Sequence, residues 1–245
     1  MASLLPFADL PPRTDIWRGD SLAAPPLPGI ASGFAQLDAE LPGGGWPVGA
    51  LTEIYAEAEG IGEFSLLAPA LARLATQDKW IACIAPPWLP YAPSLAALDI
   101  DLARLLIVRP QSRAETLWAT RQAIASQACS AVLCWLARAD MQSLRRLQLA
   151  AEASHTLAVL FRPAHEAQQA SPAALKLLLQ ARLDGLALRI LKRRGAPPAA
   201  PVLLPQLQCM ARALPQLAEP IHMAEHHELA GTASARPAAA GLQPC

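Results

Sequence analysis

The sequence predicts an α/β protein in which a mostly parallel sheet carries helices on both faces and ends in an antiparallel hairpin. Short apolar runs alternate with segments of helical periodicity along most of the chain, as in successive β-α units. Several runs, such as Trp80–Pro86, are apolar without interruption, which is typical of strands buried on both faces. With 53% hydrophobic and 16% charged residues, the chain of 245 residues can also build a large core.

The first half of the chain predicts three strands and a helix. A turn-rich stretch, PGGGWPVG, precedes the first strand, Leu51–Ala56. A helix follows, with apolar residues from Leu66 to Leu74 on one face. The next strands are Trp80–Pro86 and Leu105–Pro110.

The second half continues the alternation and marks two helix starts. Ser112 and Glu115 have the spacing of a capping box, which predicts a helix running to about Ala128. Asp140 is placed to cap another helix, whose apolar face turns toward the core. Two further strands are predicted, Ala131–Leu136 and Leu157–Pro163.

A change of pattern near the C-terminus predicts the end of the domain. The runs LKLLLQARLDG and LALRILKRRG meet around Asp184-Gly185, a dipeptide suited to a tight turn, and predict an antiparallel pair at the sheet edge. Beyond Gly195 the composition shifts to Ala, Pro and Gln. We expect a flexible N-terminal segment at 1–28, a core at 29–195, and a tail at 196–245 that is mobile or binds a partner.

Charge and cysteine usage narrow the function classes. The formal net charge is zero and the pI is near 7.0, so the whole chain carries no charge that steers it to nucleic acid. The five cysteines form no CxxC pair, which favours reduced thiols over a zinc or disulfide framework. The N-terminus lacks the pattern of a signal peptide, and four prolines interrupt the one uncharged run of membrane length. We expect a cytoplasmic protein with no metal site and no membrane contact.

The loop after the first strand is where a sheet of this kind usually binds its ligand. In a phosphate-binding loop, glycines allow close backbone approach, a lysine contacts the β- and γ-phosphates, and a hydroxyl holds magnesium. Gly60 and Gly62 are present, but Gly62 or Glu63 stands at the lysine position and no hydroxyl follows directly. Glu57, Glu59 and Glu63 also place carboxylates where phosphates would lie. The loop predicts a degenerate site that takes no nucleotide cofactor.

The segment GFAQLDAELPGGGWPVGALTEIYAEAEG resembles the part of bacterial recombinases that leads into their phosphate loop. Residues 92–108 resemble the recombinase stretch between its second and third core strands, and the hairpin runs resemble its terminal strands. Among RecA-like proteins, the segments PGGGWPVGALTE, APPWLPYAP and RLQLAAE are similar to the ImuA family, within a resemblance that covers residues 15–195. The resemblance implies a RecA-like core of the P-loop NTPase type.

The same resemblance implies that the residues of ATP hydrolysis have been lost. The stretch PPW at 86–88 stands where a recombinase has its catalytic glutamate. Cys134 or Trp135 stands where the metal-supporting aspartate is expected, and Phe161-Arg162 replaces a glutamine that senses the γ-phosphate. Phosphoryl transfer needs charge neutralisation, metal and water positioning together. A pseudo-ATPase with no catalytic residue is therefore expected.

The ImuA resemblance implies a non-catalytic accessory role in damage-inducible translesion synthesis. The implied partners are an ImuB-type protein, polymerase-like but inactive and of the Y family, an error-prone C-family DNA polymerase, and the recombinase RecA. Association with the nucleoid is implied when DNA is damaged. The loops corresponding to the recombinase DNA-binding loops are short, since few residues separate Leu136 from Asp140 and Ala164–Ala174 has no Lys or Arg. Strand exchange by a filament is not expected.

Four basic residues near the end of the last predicted strand, Arg189, Lys192, Arg193 and Arg194, are candidates for a weak contact with DNA phosphates. A solvated edge strand is the simpler alternative, because positive charge there also discourages sheet-to-sheet aggregation.

Other interpretations stay open. SulA proteins share a degenerate RecA-like ancestry, so a division inhibitor that binds the tubulin-like division protein is an alternative, as is a regulator with residual nucleotide binding. In the tail, His222 and His226 have a helical spacing that suits a metal, together with His227, but no third ligand is placed with them. A solvated helix explains the histidines better.

Overall fold

The computed structural model describes residues 28–76, 78–195 and 197–205. In this part of the chain the strands are β1 (Gly29–Ile30), β2 (Trp46–Pro47), β3 (Ala50–Ala56), β4 (Trp80–Ile84), β5 (Leu105–Val108), β6 (Cys129–Trp135), β7 (Leu157–Pro163), β8 (Leu175–Arg182), β9 (Gly185–Lys192) and β10 (Val202–Leu204). The α-helices are α1 (Ala35–Asp38), α2 (Glu63–Ala75), α3 (Ala92–Ala96), α4 (Arg113–Ala125) and α5 (Met141–Glu152).

The large sheet has a parallel centre and an antiparallel edge. Its strand order is β10-β9-β8-β3-β7-β6-β4-β5. β8 pairs parallel with β3, and β9 and β10 then add in antiparallel fashion. The predicted α/β class, mostly parallel sheet and C-terminal hairpin are confirmed. The hairpin turn consists of Leu183 and Asp184, because Arg182 pairs with Gly185, which begins β9.

Helices cover both faces of the parallel strands, as predicted. Leu66 and Leu71 of α2 pack in one core cluster with Ile54 of β3. Leu144 of α5 packs in a second cluster with Leu51 of β3. Since side chains alternate along a strand, β3 contributes to both cores and forms the centre of the domain.

Both predicted helix starts are present. The Ser112 hydroxyl oxygen accepts a hydrogen bond from the Glu115 backbone N–H at 3.2 Å and opens α4. The Glu115 carboxylate accepts from the N–H of Gln111 at 2.7 Å, one residue before the position that a capping box uses. At the start of α5, the Asp140 carboxylate accepts from the backbone N–H of Ser143 at 2.8 Å, and this bond lowers the pKa of Asp140.

The sheet continues past residue 195. Val202 and Leu204 of β10 are almost fully buried, so the first residues of the segment assigned to the tail belong to the folded sheet. The periodicity of the sequence also did not predict the ribbon of β1 and β2 or the short helices α1 and α3. Except for Pro28, the predicted N-terminal segment lies outside the described residues, and so do tail residues 206–245.

Candidate functional site

The carboxyl ends of β3, β4, β6 and β7 surround a cleft, at the edge of the sheet where folds of this kind bind ligands. The cavity has a volume of about 560 Å³. The sequence predicts several stretches where residues for ATP hydrolysis would lie. Each of these stretches contributes lining residues to the cavity. The lining residues are Ala56, Glu57, Ala58, Glu59, Glu63, Ala85, Pro87, Trp135, Leu136, Ala137, Phe161, Arg162 and Pro163.

The loop after β3 binds a carboxylate of its own. Gly60 and Gly62 have φ angles of 79° and 115°, which glycine adopts without strain. The two Glu63 carboxylate oxygens accept from the backbone N–H of Gly60 at 2.7 Å and from that of Gly62 at 3.1 Å. Glu63 is the first residue of α2 and is only 6% exposed, so its charge also lies at the positive end of the helix. Glu63 thereby occupies N–H donors of the kind that hold phosphate in a phosphate loop.

The mouth of the cleft is acidic and its wall is aromatic. Glu57 and Glu59 line the cavity and are exposed. On the opposite strands, the rings of Trp135 and Phe161 stack with their centroids 4.7 Å apart. Pro87 lies on the wall near the position of the expected catalytic glutamate. The described side chains offer apolar contact and negative charge, and no lysine or hydroxyl for phosphate or magnesium.

The strand position expected for a metal-supporting aspartate is apolar. Cys134 is fully buried, and its sulfur accepts a hydrogen bond from the Thr120 hydroxyl at 3.1 Å. Burial raises the pKa of Cys134 to about 12, so the thiol stays protonated at neutral pH. Cys83 of β4 is also buried, and its pKa is likewise raised to about 12.

A buried ionic cluster lies beside the cleft on the sheet face that carries α5. Arg162 donates from one guanidinium nitrogen to Glu53 at 3.0 Å and from the other to Glu166 at 3.0 Å. The Tyr55 hydroxyl donates to the second oxygen of Glu53 at 2.7 Å. Burial, and then the Glu53 charge, raise the pKa of Tyr55, so the phenol remains a donor. Arg162 is 3% exposed, and both of its terminal nitrogens are bonded to carboxylates.

Lys176 extends this cluster and fixes the loop between β7 and β8. Its ammonium group donates to the carbonyl oxygens of Ala167 and Gln169, each at 2.8 Å. It also lies 5.2 Å from the centre of the Tyr55 ring. Desolvation lowers the pKa of Lys176, although the Glu53 charge opposes this. The loop between β7 and β8 is therefore attached to the sheet by a buried charge.

Sequence reasoning missed this cluster, although the signal was present. Glu53, Arg162 and Lys176 each interrupt an otherwise apolar strand. Charges at fully buried strand positions require partners. The strand pairing that brings Tyr55 opposite Arg162 and Glu53 opposite Lys176 comes only from the fold.

The structure places the four candidate DNA-binding residues on β9 and directly after it, where Lys192 and Arg193 bond to other parts of the chain. The Lys192 ammonium donates to the Ser171 carbonyl at 2.9 Å, and Arg193 forms an ion pair with Glu40 at 2.9 Å. Arg189 is exposed on β9. Lys192, Arg193 and Arg194 line a separate cavity of about 330 Å³.

Within residues 28–76, 78–195 and 197–205, no cluster of His, Cys, Asp and Glu is arranged to hold a metal ion. The same part of the chain contains no helix that is long and apolar enough to cross a membrane. The histidines at 222, 226 and 227 lie outside the described residues.

Comparison with known proteins gives three findings. A family model described as cell division inhibitor SulA matches residues 49–158. Two curated relatives named Protein ImuA, from Caulobacter vibrioides strains NA1000 / CB15N and ATCC 19089 / CIP 103742 / CB 15, are 34% identical over 137 residues, which is 52% of this chain and 54% of theirs. The crystal structure of SulA from Pseudomonas aeruginosa covers 46% of this chain and 97% of its own, with 22% identity and a TM-score of 0.39.

The family match runs from β3 to the start of β7, so it includes the cleft loop and three of the four strands that lead into the cleft. In that part the chain is similar to the SulA family model. The predicted resemblance to ImuA is confirmed, and the protein is ImuA-like over about half of its chain. The chain spans about half the length of the curated relatives it matches. A TM-score of 0.39 is too low to support a conclusion about the fold.

Proposed function

We propose that this protein is a non-catalytic adaptor of a damage-inducible translesion-synthesis complex. It joins an inactive Y-family polymerase-like protein of the ImuB type, an error-prone C-family polymerase and the recombinase RecA. Its core is a RecA-like P-loop fold in which the nucleotide site has degenerated. It acts in the cytoplasm and associates with the nucleoid when DNA is damaged. The ImuA likeness supports the pathway, and the geometry of the cleft supports the absence of catalysis.

The observation that carries the proposal is the Glu63 carboxylate bound by its own loop. A nucleotide phosphate would have to displace an anion that is covalently attached and already holds the N–H groups of Gly60 and Gly62. Glu57 and Glu59 at the mouth repel a polyphosphate in addition. No lysine among the cleft residues offsets that charge. The site is therefore a pseudo-ATPase site.

The partner contact is assigned to the proline-rich loop after β4. Trp88, Leu89 and Tyr91 are 73%, 64% and 58% exposed. Prolines on both sides restrict the backbone, so the loop loses little conformational entropy when it is covered. Large exposed apolar side chains on a pre-organised loop are typical of a protein interface.

Capture of purified partners by the immobilised full chain tests the proposal. The ImuB-type protein, the C-family polymerase and the recombinase are offered separately, without nucleotide. We expect capture of at least the ImuB-type protein, and about tenfold weaker binding by a Trp88→Ser/Leu89→Ser variant. Leu183→Ser is the matched control, because Leu183 is 98% exposed at the distant hairpin turn.

Failure to capture any of the three partners would contradict the adaptor role. Equal loss in the Leu183 control would show that general surface hydrophobicity causes the binding. A chain ending at Pro205, beyond the last strand, shows whether residues 206–245 carry a contact. In cells, normal damage-induced mutagenesis after deletion of the gene would also contradict the proposal.

Weak DNA contact is assigned to Arg189 and its neighbours on β9. Arg193 already forms an ion pair with Glu40, so we expect the DNA contact to be weak. A contact to phosphates alone is non-specific and weakens as the salt concentration rises. An Arg189→Glu variant is expected to bind a single-stranded oligonucleotide several-fold more weakly at low salt. Unchanged binding would contradict a DNA contact at this edge of the sheet.

The SulA family match favours a second candidate, a division inhibitor that binds the tubulin-like division protein. Under this candidate, overexpression in undamaged cells makes them filament. Overexpressing cells of normal length, together with lost mutagenesis in the deletion strain, favour the adaptor.

A further inference from the structure

A groove separates the outer surfaces of α4 and α5, on the face of the domain opposite to α2. Its volume is about 290 Å³. Leu117 and Leu147 provide apolar lining, Trp118 stands on its α4 side, and Arg121 and Arg146 lie on the two helices that border it. None of these residues belongs to the cleft or to the basic cluster on β9.

The groove exposes apolar surface that the fold does not use. Trp118 is 61% exposed although it sits in the middle of a regular helix. The inward side of α4 is formed by the buried residues Thr116, Thr120 and Ile124, so Trp118 contributes little to the core. A large aromatic side chain in that position is available to a partner.

The surface around the groove is positively charged and not neutralised within the described chain. Arg121, Arg145 and Arg146 are exposed, and no ion pair or hydrogen bond joins them to a described residue. The two glutamates on the same helices form no ion pair with these arginines: Glu115 accepts from the Gln111 N–H, and Glu152 accepts from the Gln148 amide at 2.8 Å. The groove therefore combines an apolar floor with unpaired guanidinium groups.

We propose that this groove binds an acidic protein segment that inserts an apolar side chain beside Trp118. The apolar anchor packs on Trp118 and the half-buried Leu117, and carboxylates of the segment pair with Arg121 and Arg146. Surfaces for single-stranded nucleic acid stack successive bases on several aromatic rings, whereas this groove offers one. The inference concerns a surface separate from the proline-rich loop and does not depend on which protein fills the adaptor role.

A labelled peptide tests the groove directly on the full chain. The probe is a short amphipathic peptide with Leu and Phe at helical spacing and Glu and Asp at its other positions, followed by fluorescence anisotropy at low salt. We expect saturable binding that weakens about tenfold in Trp118→Ala and in Arg121→Glu/Arg146→Glu. A peptide with Lys in place of each acidic residue is expected not to bind.

Two matched variants separate this site from general effects. Arg73→Glu changes the charge by the same kind of substitution on α2, on the other face of the sheet, and is expected to leave the affinity unchanged. Trp88→Ala removes an exposed tryptophan from the proline-rich loop and is likewise expected to have no effect on this probe. If Trp88→Ala impairs partner capture but not the acidic peptide, the two surfaces act independently.

Three results would overturn the proposal. The first is no binding of the acidic peptide by the wild-type chain. The second is equal loss in Arg73→Glu and in the groove variants, which means that only overall charge matters. The third is tighter binding of oligothymidylate that the same groove variants abolish, which assigns the surface to nucleic acid.

Discussion

Glu53 and Glu63 are both buried carboxylates near the end of β3, but their partners differ. Glu53 is held by side chains of neighbouring elements, namely the Arg162 guanidinium and the Tyr55 hydroxyl. Glu63 is held by backbone N–H groups of its own loop. The first carboxylate joins strands and serves the fold, whereas the second fills a place that a ligand could occupy. One carboxylate thus stabilises the strands beneath the cleft, and the other takes up N–H donors of the cleft loop.

Breaking the contacts of the two carboxylates has different consequences. If Arg162 is removed, the Glu53 carboxylate stays buried without its cation. Without Glu63, the loop would leave N–H groups next to a cavity that water can enter. Loss of Arg162 should therefore lower the free energy of unfolding much more than loss of the Glu63 carboxylate.

The largest effect is expected for Arg162→Leu. It leaves Glu53 and Glu166 buried without their cation, and we expect the free energy of unfolding to fall by about 3–5 kcal/mol. Urea denaturation measures this. Arg113→Leu is the control, because its ion pair with Asp140 is about half exposed and its loss should change stability much less. Equal losses in the two variants would refute the structural role of the cluster.

The next effect is expected for Glu63→Ala. It removes a charged acceptor from two N–H groups and a negative charge from the start of α2, so we expect a loss of about 2 kcal/mol. The control is Glu59→Ala, an exposed carboxylate in the same loop, with a change of less than about 0.5 kcal/mol. A smaller loss for Glu63 than for Glu59 would mean that the loop does not depend on its own carboxylate.

A smaller loss is expected for Tyr55→Phe. The substitution keeps the ring but removes one donor from the Glu53 carboxylate, which retains its bond from Arg162. Loss of this bond should lower the free energy of unfolding by about 1–2 kcal/mol. The same urea series provides the measurement, and a neutral or stabilising effect would remove the tyrosine from the cluster.

The smallest effect concerns the buried thiols at alkaline pH. Folding raises the pKa of Cys83 and Cys134 from 9.0 to about 12, since burial disfavours the thiolate. Their contribution is thus complete below pH 9 and is lost as the pH rises toward 12. A Cys83→Ala/Cys134→Ala variant should lose less stability than the wild type between these values. At pH 8, iodoacetamide should leave both thiols of the folded chain unmodified, as mass spectrometry can show.

More of the fold than of the cleft could be predicted from the sequence. Uninterrupted apolar strands and two helix caps at Ser112 and Asp140 are local signals, and they gave the order of the elements. Short elements such as β10 depend on tertiary pairing and carry no periodicity of their own. The sequence also showed that the loop lacks a lysine. That Glu63 folds back onto Gly60 and Gly62 depends on loop geometry, which residue types alone do not specify.

Calorimetry of the full chain with MgATP shows whether the cleft of this ImuA-like protein binds a nucleotide. Purified recombinase from the same cell is the positive control for the titration. We expect no saturable heat for the wild-type chain at millimolar ATP, together with nucleotide-independent capture of a partner. Saturable ATP binding by the wild type, lost when Gly62 is replaced by a larger residue, would contradict this expectation.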